Sequence, residues 1–258
     1  MDERRVARYL DRVGFPPDGG APDVARLAEL QERHLHAVPF ENLSVHLEEP
    51  IDLTPEALVD KIVERNRGGF CYELNGAFGA LLTALGYEVT LLCARAATPD
   101  GFGPPFDHLA LRVDVDGEPW LVDVGFGRFS HRPIRLAERG EQKDPAGTFL
   151  VTSEPDGDLT VLLNGAREYR LETRPRILAD FEPTCWWHRT SPKSHFTRSL
   201  VCSRLTDTGR VTLSGSTLII TGDTGKQETT LHTDAEILDA YRRHFGISLD
   251  SVPTVRQS

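Results

Sequence analysis

The stretch that decides the fold is HLALRVDVDGEPWLVDVG, residues 108–125. At its centre Asp116-Gly117 is a strong two-residue hairpin signal between two apolar runs. With the turn there, Val115 faces Glu118, Val113 faces Trp120, Leu111 faces Val122 and Leu109 faces Val124. From Val113 outward one face is wholly apolar, and a one-residue slip would destroy it, which fixes the register. The other face carries His108, Ala110 and Arg112 on one strand and Leu121, Asp123 and Gly125 on its neighbour. Asp123 is then the diagonal neighbour of His108, at the roughly 7–8 Å Cα spacing across which an imidazole can meet a carboxylate. An arbitrary His or Asp on a hairpin is ordinarily solvated. The apolar flanks on both strands argue against that fate here.

Upstream of the hairpin the pattern is helical. Val6, Tyr9, Leu10 and Val13 line one helix face, and Gly14 marks its end. A second helix is expected over about Asp23 to Ala37, with Val24, Leu27 and Leu30 inward. A third opens at Thr54-Pro55 and buries Leu58, Ile62 and Val63. A fourth follows Gly68-Gly69, with Leu74, Ala77, Phe78, Leu81, Leu82 and Leu85 at helical spacing up to Gly86. From Glu88 the period shortens. Glu88–Ala94, Leu109–Val115, Trp120–Val124, Phe149–Thr152, Leu159–Leu163 and Glu168–Glu172 read as strands. More β pattern surrounds Val211–Leu213, Thr217–Thr221 and Glu228–Leu231. Thr233-Asp-Ala-Glu236 then forms a capping box for a closing helix that presents Ile237, Tyr241 and Phe245. Helices first, strands second and a mixed tail predict an α+β assembly.

Cys71 falls in the first turn of the fourth helix, where free N–H groups and the helix dipole favour a thiolate. An adjacent imidazolium adds to that preference, and the two glycines before it leave space beside the sulfur for a substrate. A lone cysteine is more often core packing than chemistry. Cys93, Cys185 beside Trp186-Trp187, and Cys202 read that way, and the wide spacing of the four cysteines disfavours a disulfide framework or a zinc knuckle.

The chain has 258 residues, 39% hydrophobic and 26% charged, and a formal net charge of -10. Such a surface repels a phosphate backbone, so a nucleic-acid partner is not expected. The charged start Met1-Asp2-Glu3-Arg4-Arg5 and the lack of a run of roughly 20 apolar residues predict no secretion signal and no membrane span. The expected location is the cytoplasm.

Pro39-Phe40-Glu41-Asn42-Leu43, Arg67-Gly-Gly-Phe-Cys71-Tyr-Glu-Leu-Asn75, His108, Asp123-Val-Gly-Phe-Gly127 and Ser191-Pro-Lys-Ser-His-Phe196 together resemble the arylamine N-acetyltransferases, in that family's order. The resemblance covers nearly the whole chain. It implies a helical N-terminal domain (residues 1–86), a central β-barrel domain (87–185) and a C-terminal α/β lid (186–258), around a cysteine-protease-like Cys-His-Asp core. By the same resemblance Cys71, His108 and Asp123 are the catalytic residues, and Phe40, Tyr72, Phe126 and Gly127 bind the acceptor. His195 and Phe196 would lie at the coenzyme A entrance, and Arg67 and Glu41 would pair beneath the nucleophile. The implied reaction is double displacement from acetyl-CoA to an arylamine, arylhydrazine or arylhydroxylamine, with no metal, in a monomer or homodimer.

Three other readings remain open at this stage. An amide synthase that closes an ansamycin-type macrolactam would keep the triad and take a polyketide thioester from a carrier protein. A thiol hydrolase of papain or transglutaminase type has the same Cys–His–Asp order, and a non-catalytic binding module would leave Cys71 inert.

Overall fold

The structure, a computed structural model, describes residues 1–16, 20–223 and 225–255. Aspartates open the first two helices. Asp2 accepts the Arg5 N–H at 2.8 Å ahead of Glu3–Arg12, and Asp23 accepts the Arg26 N–H at 2.8 Å ahead of Val24–Ala37. Pro55–Val59 follows Thr54 and runs on through a π-turn, Asp60–Glu64, that buries Ile62 fully. The Cys71–Ala84 helix is the centrepiece of this layer, and its apolar side shares one core with Tyr9, Leu27, Leu30 and Leu58.

That helix lies on the outer face of the hairpin. Leu109, Leu111, Val113, Val122 and Val124 all belong to the helical core, as the alternation requires. The observed pairs Leu111↔Val122, Val113↔Trp120 and Val115↔Glu118 reproduce the expected register. The second strand, however, is Glu118–Val122, two residues shorter than expected at its far end.

The hairpin sits in an antiparallel sheet whose spatial order is Ile134–Arg135, Glu118–Val122, His108–Val115, Glu88–Thr98, Ala166–Arg176, Leu159–Leu163, Gly147–Ser153 and Gln142–Asp144. The sheet closes into a barrel through a side chain. Gln142 on one edge accepts the Arg135 N–H at 2.8 Å and donates to the Arg135 carbonyl at 3.0 Å on the other. Ala110, Leu121, Phe149, Val151, Val161 and Tyr169 fill the interior.

A second sheet runs Phe40–Glu41, Val201–Thr206, Gly209–Ser214, Thr217–Gly222 and Gly225–Thr230. Its first strand comes from the N-terminal part of the chain (Phe40↔Ser203, Glu41↔Cys202). The helix Asp234–Ala240, opened by the Thr233–Glu236 capping box, closes the core of this sheet with Tyr241 and Phe245. Several elements were not foreseen, the short strands Phe40–Glu41, Ile134–Arg135 and Gln142–Asp144 and two longer elements among them. The helix Glu182–Thr190 contains Pro183, which reads as a breaker but costs nothing in a first turn; this helix straddles the boundary expected at 185/186. Val201–Thr206 lacks apolar alternation, because Cys202, Ser203 and Leu205 are all buried. Among the described residues no helix is long and apolar enough to cross a membrane.

Candidate active site

Cys71 is the first residue of its helix and is 3% exposed. The turn that places it is held from below by buried charge. Glu73 accepts the Phe70 N–H at 3.1 Å and the Lys61 ammonium at 2.5 Å, and Lys61 also donates to Ser44 at 2.8 Å. Arg67 meets Glu41 at 3.0 Å, and Glu41 in turn accepts the Leu43 N–H at 2.6 Å. The glycines before Cys71 have a different purpose from the one the sequence suggested. A Cβ on Gly68 would overlap the Pro39 carbonyl, and one on Gly69 would come within 2.6 Å of Glu73. They admit protein backbone and the capping carboxylate, not substrate.

His108 Nε2 donates to Asp123 Oδ2 at 2.7 Å, and both residues are buried. The carboxylate thereby fixes the proton on Nε2 and leaves Nδ1 as the acceptor of the ring. The other oxygen, Oδ1, accepts the Gly125 N–H at 2.9 Å and the Asn75 amide at 2.8 Å. Asn75 lies one helical turn beyond Cys71. Its amide also donates to the Leu109 carbonyl at 2.7 Å, and its oxygen accepts the Val124 N–H at 2.9 Å. The side chain therefore stands where Leu109 and Val124 would have paired, which is why the strand stops at Val122. It ties the nucleophile's helix to the acid of the dyad. Asn75 belongs to the motif around Cys71, and its i+4 spacing from Cys71 is the one local sign of this role.

Cys71 and His108 share the wall of a cavity of about 200 Å³, with Phe40, Phe126, His195 and Phe196. Ala96, Asp107 and Gly125 complete the wall and had not been singled out. Tyr72 and Gly127 do not line it. Tyr72 is fully buried behind it, donating to the Phe106 carbonyl at 2.6 Å and packing on Phe70 and Phe181. Gly127, at φ +88°, lets the chain turn beside Phe40. Phe126 meets His108 edge-on at 5.0 Å between ring centres.

Burial pushes the Cys71 thiol well up, the Asp107 and Asp123 carboxylates add to that, and a backbone hydrogen bond at Leu109 opposes it. The lowered thiol pKa expected from the helix terminus is thus reversed in sign by desolvation. A lone thiolate is disfavoured here. Passing the proton to the imidazole creates an ion pair with no net charge, and the Asp123 carboxylate balances the imidazolium. The other cysteines are buried and free; burial raises Cys93 and Cys185 to about 12 and holds Cys202 well above the ordinary thiol value. Among the described residues no group of His, Cys, Asp or Glu is arranged to hold a metal.

A family model described as N-acetyltransferase matches residues 23–254. An arylamine N-acetyltransferase of Mycolicibacterium smegmatis is 36% identical over 93% of this chain and 91% of the relative. Arylamine N-acetyltransferase 1 of Homo sapiens is 31% identical over 95% of this chain and 94% of the relative. The solved arylamine N-acetyltransferase of Mycobacterium marinum superposes with a TM-score of 0.85 at 34% identity, covering 94% of this chain and 92% of its own. The same M. marinum protein has also been solved in complex with CoA, with a TM-score of 0.83. A match of this extent, together with the fold and the buried dyad, assigns the chain: it belongs to the arylamine N-acetyltransferase family.

Proposed function

We propose that this protein transfers an acetyl group from acetyl-CoA to an arylamine, arylhydrazine or arylhydroxylamine through an acetyl thioester on Cys71. The observation that carries the reading is the 2.7 Å contact between His108 and Asp123, set in the wall that His108 shares with Cys71. The Sγ–H proton passes to His108 Nδ1 as the sulfur attacks the donor carbonyl. The tetrahedral adduct expels the coenzyme A thiolate, which takes that proton from His108. In the second half the amine nitrogen attacks acetyl-Cys71 and His108 accepts its proton. The C–Sγ bond then breaks, and His108 returns the proton to sulfur. Asp123 holds the ring throughout.

Phe40, Phe126 and Phe196 supply the apolar faces that an aromatic acceptor needs. His195 and Phe196 lie in the wall through which the donor thioester would approach. Tyr72 and Gly127 act from behind, on the shape of that wall. A cavity of about 150 Å³ already holds benzene. The space beside Cys71 therefore suits one substituted ring and an acetyl group, and gives no support to a macrocyclic polyketide chain delivered by a carrier protein.

Mass spectrometry after mixing with acetyl-CoA alone tests the reading. One acetyl adduct is expected on the peptide that contains Cys71, discharged by aniline and missing from Cys71→Ser. An adduct on another residue, or none, would refute it.

A further inference from the structure

The cavity beside Cys71 carries a carboxylate and, among the described residues that line it, no lysine or arginine. The carboxylate belongs to Asp107, whose backbone carbonyl lies 3.9 Å from the Cys71 sulfur. Two neighbours fix the side chain. The Ala96 N–H donates to Oδ2 at 3.2 Å, and His188 Nε2, from the Glu182–Thr190 helix, stands 3.4 Å from Oδ1. The same Nε2 lies 3.3 Å from the Asp107 backbone carbonyl, and Nδ1 of the ring lies 3.3 Å from the Ser194 hydroxyl, whose oxygen takes the Phe196 N–H at 3.2 Å. No lysine or arginine pairs with Asp107 among the described residues; Arg95 is directed to the Gly103 carbonyl at 2.7 Å. The charge is also felt at the reacting end. Beneath the dominant effect of burial, Asp107 pushes both the Cys71 thiol and the His195 ring upward.

From this placement we propose that Asp107 is a specificity-determining residue. It makes the acceptor site select by charge, admitting neutral or hydrogen-bond-donating aryl amines and hydrazines and turning away those that bear a carboxylate. The rule rests on the acetyl-transfer reading above and names the substrate class within it. A cavity this small holds any ring-borne carboxylate within roughly 7–10 Å of Asp107. At an effective dielectric of about 20, that repulsion weakens binding by about 15- to 50-fold. The phenylalanines opposite offer no counter-charge.

The matched pair 4-aminobenzamide and 4-aminobenzoate tests it. Their shapes are nearly the same, and the carboxylate withdraws less electron density, so intrinsic amine reactivity favours the benzoate. The wild-type protein is expected to prefer the benzamide in kcat/KM by about tenfold or more, and Asp107→Asn to bring the ratio within about threefold of unity. Asp107→Ser serves should the Asn variant fold poorly. Equal use of the two acceptors by the wild type overturns the proposal. So does a variant that slows both acceptors and leaves their ratio unchanged, since that marks a purely structural role. Acetylation of Cys71 by acetyl-CoA is followed separately in each protein; its absence from the wild type would strike the transfer reading and not the charge rule.

Discussion

The two ends of the hairpin that carries the dyad are built on different terms. At the turn, Asp116 and Gly117 adopt φ of +52° and +79°, and the ladder beside them is unbroken from Val115↔Glu118 to Leu111↔Val122. Local chain chemistry suffices there. At the other end the ladder is interrupted, and the Asn75 amide from the Cys71–Ala84 helix takes the place of a strand pair. The interruption frees Asp123 to turn one oxygen onto Gly125 and Asn75 and the other onto His108. The His108–Asp123 contact thus sits where the sheet stops being self-sufficient. One end of the hairpin is specified by itself, and the other by the helix that bears the nucleophile.

The largest expected effect breaks the open end at the carboxylate. In Asp123→Asn the amide oxygen can keep the Gly125 and Asn75 bonds, but an N–H then faces His108 Nε2–H. The ring must change tautomer or turn away. Activity is expected to fall about 10³- to 10⁴-fold in kcat/KM with a nearly unchanged Tm. Wild-type rates would remove Asp123 from the mechanism.

Asn75→Ala tests the wedge itself. It leaves the Leu109 carbonyl and the Val124 N–H buried without their partner and takes one donor from Asp123. A loss of about 2–4 kcal/mol in unfolding free energy is expected. The fall in activity should appear in kcat rather than KM, since the wedge orients Asp123 and touches no substrate. An unaffected kcat would show that the dyad holds its geometry without the helix. Gly125→Ala probes the same junction by crowding. A Cβ there would lie 2.7 Å from the Cys71 Cα and from the Asn75 amide nitrogen. Overpacking of about 1–3 kcal/mol is expected. Activity should drop on the order of 10²-fold, the cost of about 1 Å of misplacement between nucleophile and base. A fully active, stable alanine variant would mean that the hairpin can shift freely on the helix.

The same division explains what the amino-acid sequence disclosed. The register of residues 108–122 and the start of the Cys71 helix rest on short-range rules of alternation, turn chemistry and capping, and these are visible in one sequence. The Asn75 wedge, the Gln142 bridge that closes the barrel and the Asp107–His188 contact are side-chain bonds between elements far apart in the chain. They leave no periodic trace. The sign of the Cys71 shift was hidden for a related reason: a helix terminus is readable locally, but the burial that outweighs it depends on the whole fold.

The smallest effect is expected at the turn, and it sharpens the comparison most. Nothing lies within 4 Å of the place a Cβ on Gly117 would occupy, so Gly117→Ala adds no clash. Its only cost is a side chain forced to a left-handed φ of +79°, about 1–2 kcal/mol. For a chain of this size that lowers Tm by about 2–4 °C per kcal/mol. The paired strands between the turn and Asn75 should absorb the strain, so kcat/KM is expected to stay within about twofold, well under the 1.4 kcal/mol that a tenfold change represents. Set beside Gly125→Ala, the same chemical change at opposite ends of one hairpin should separate stability from activity. A Gly117→Ala variant that lost activity as deeply as Gly125→Ala would show that strain travels the full ladder, and that the dyad is held by the hairpin as a unit rather than by the helix at its open end.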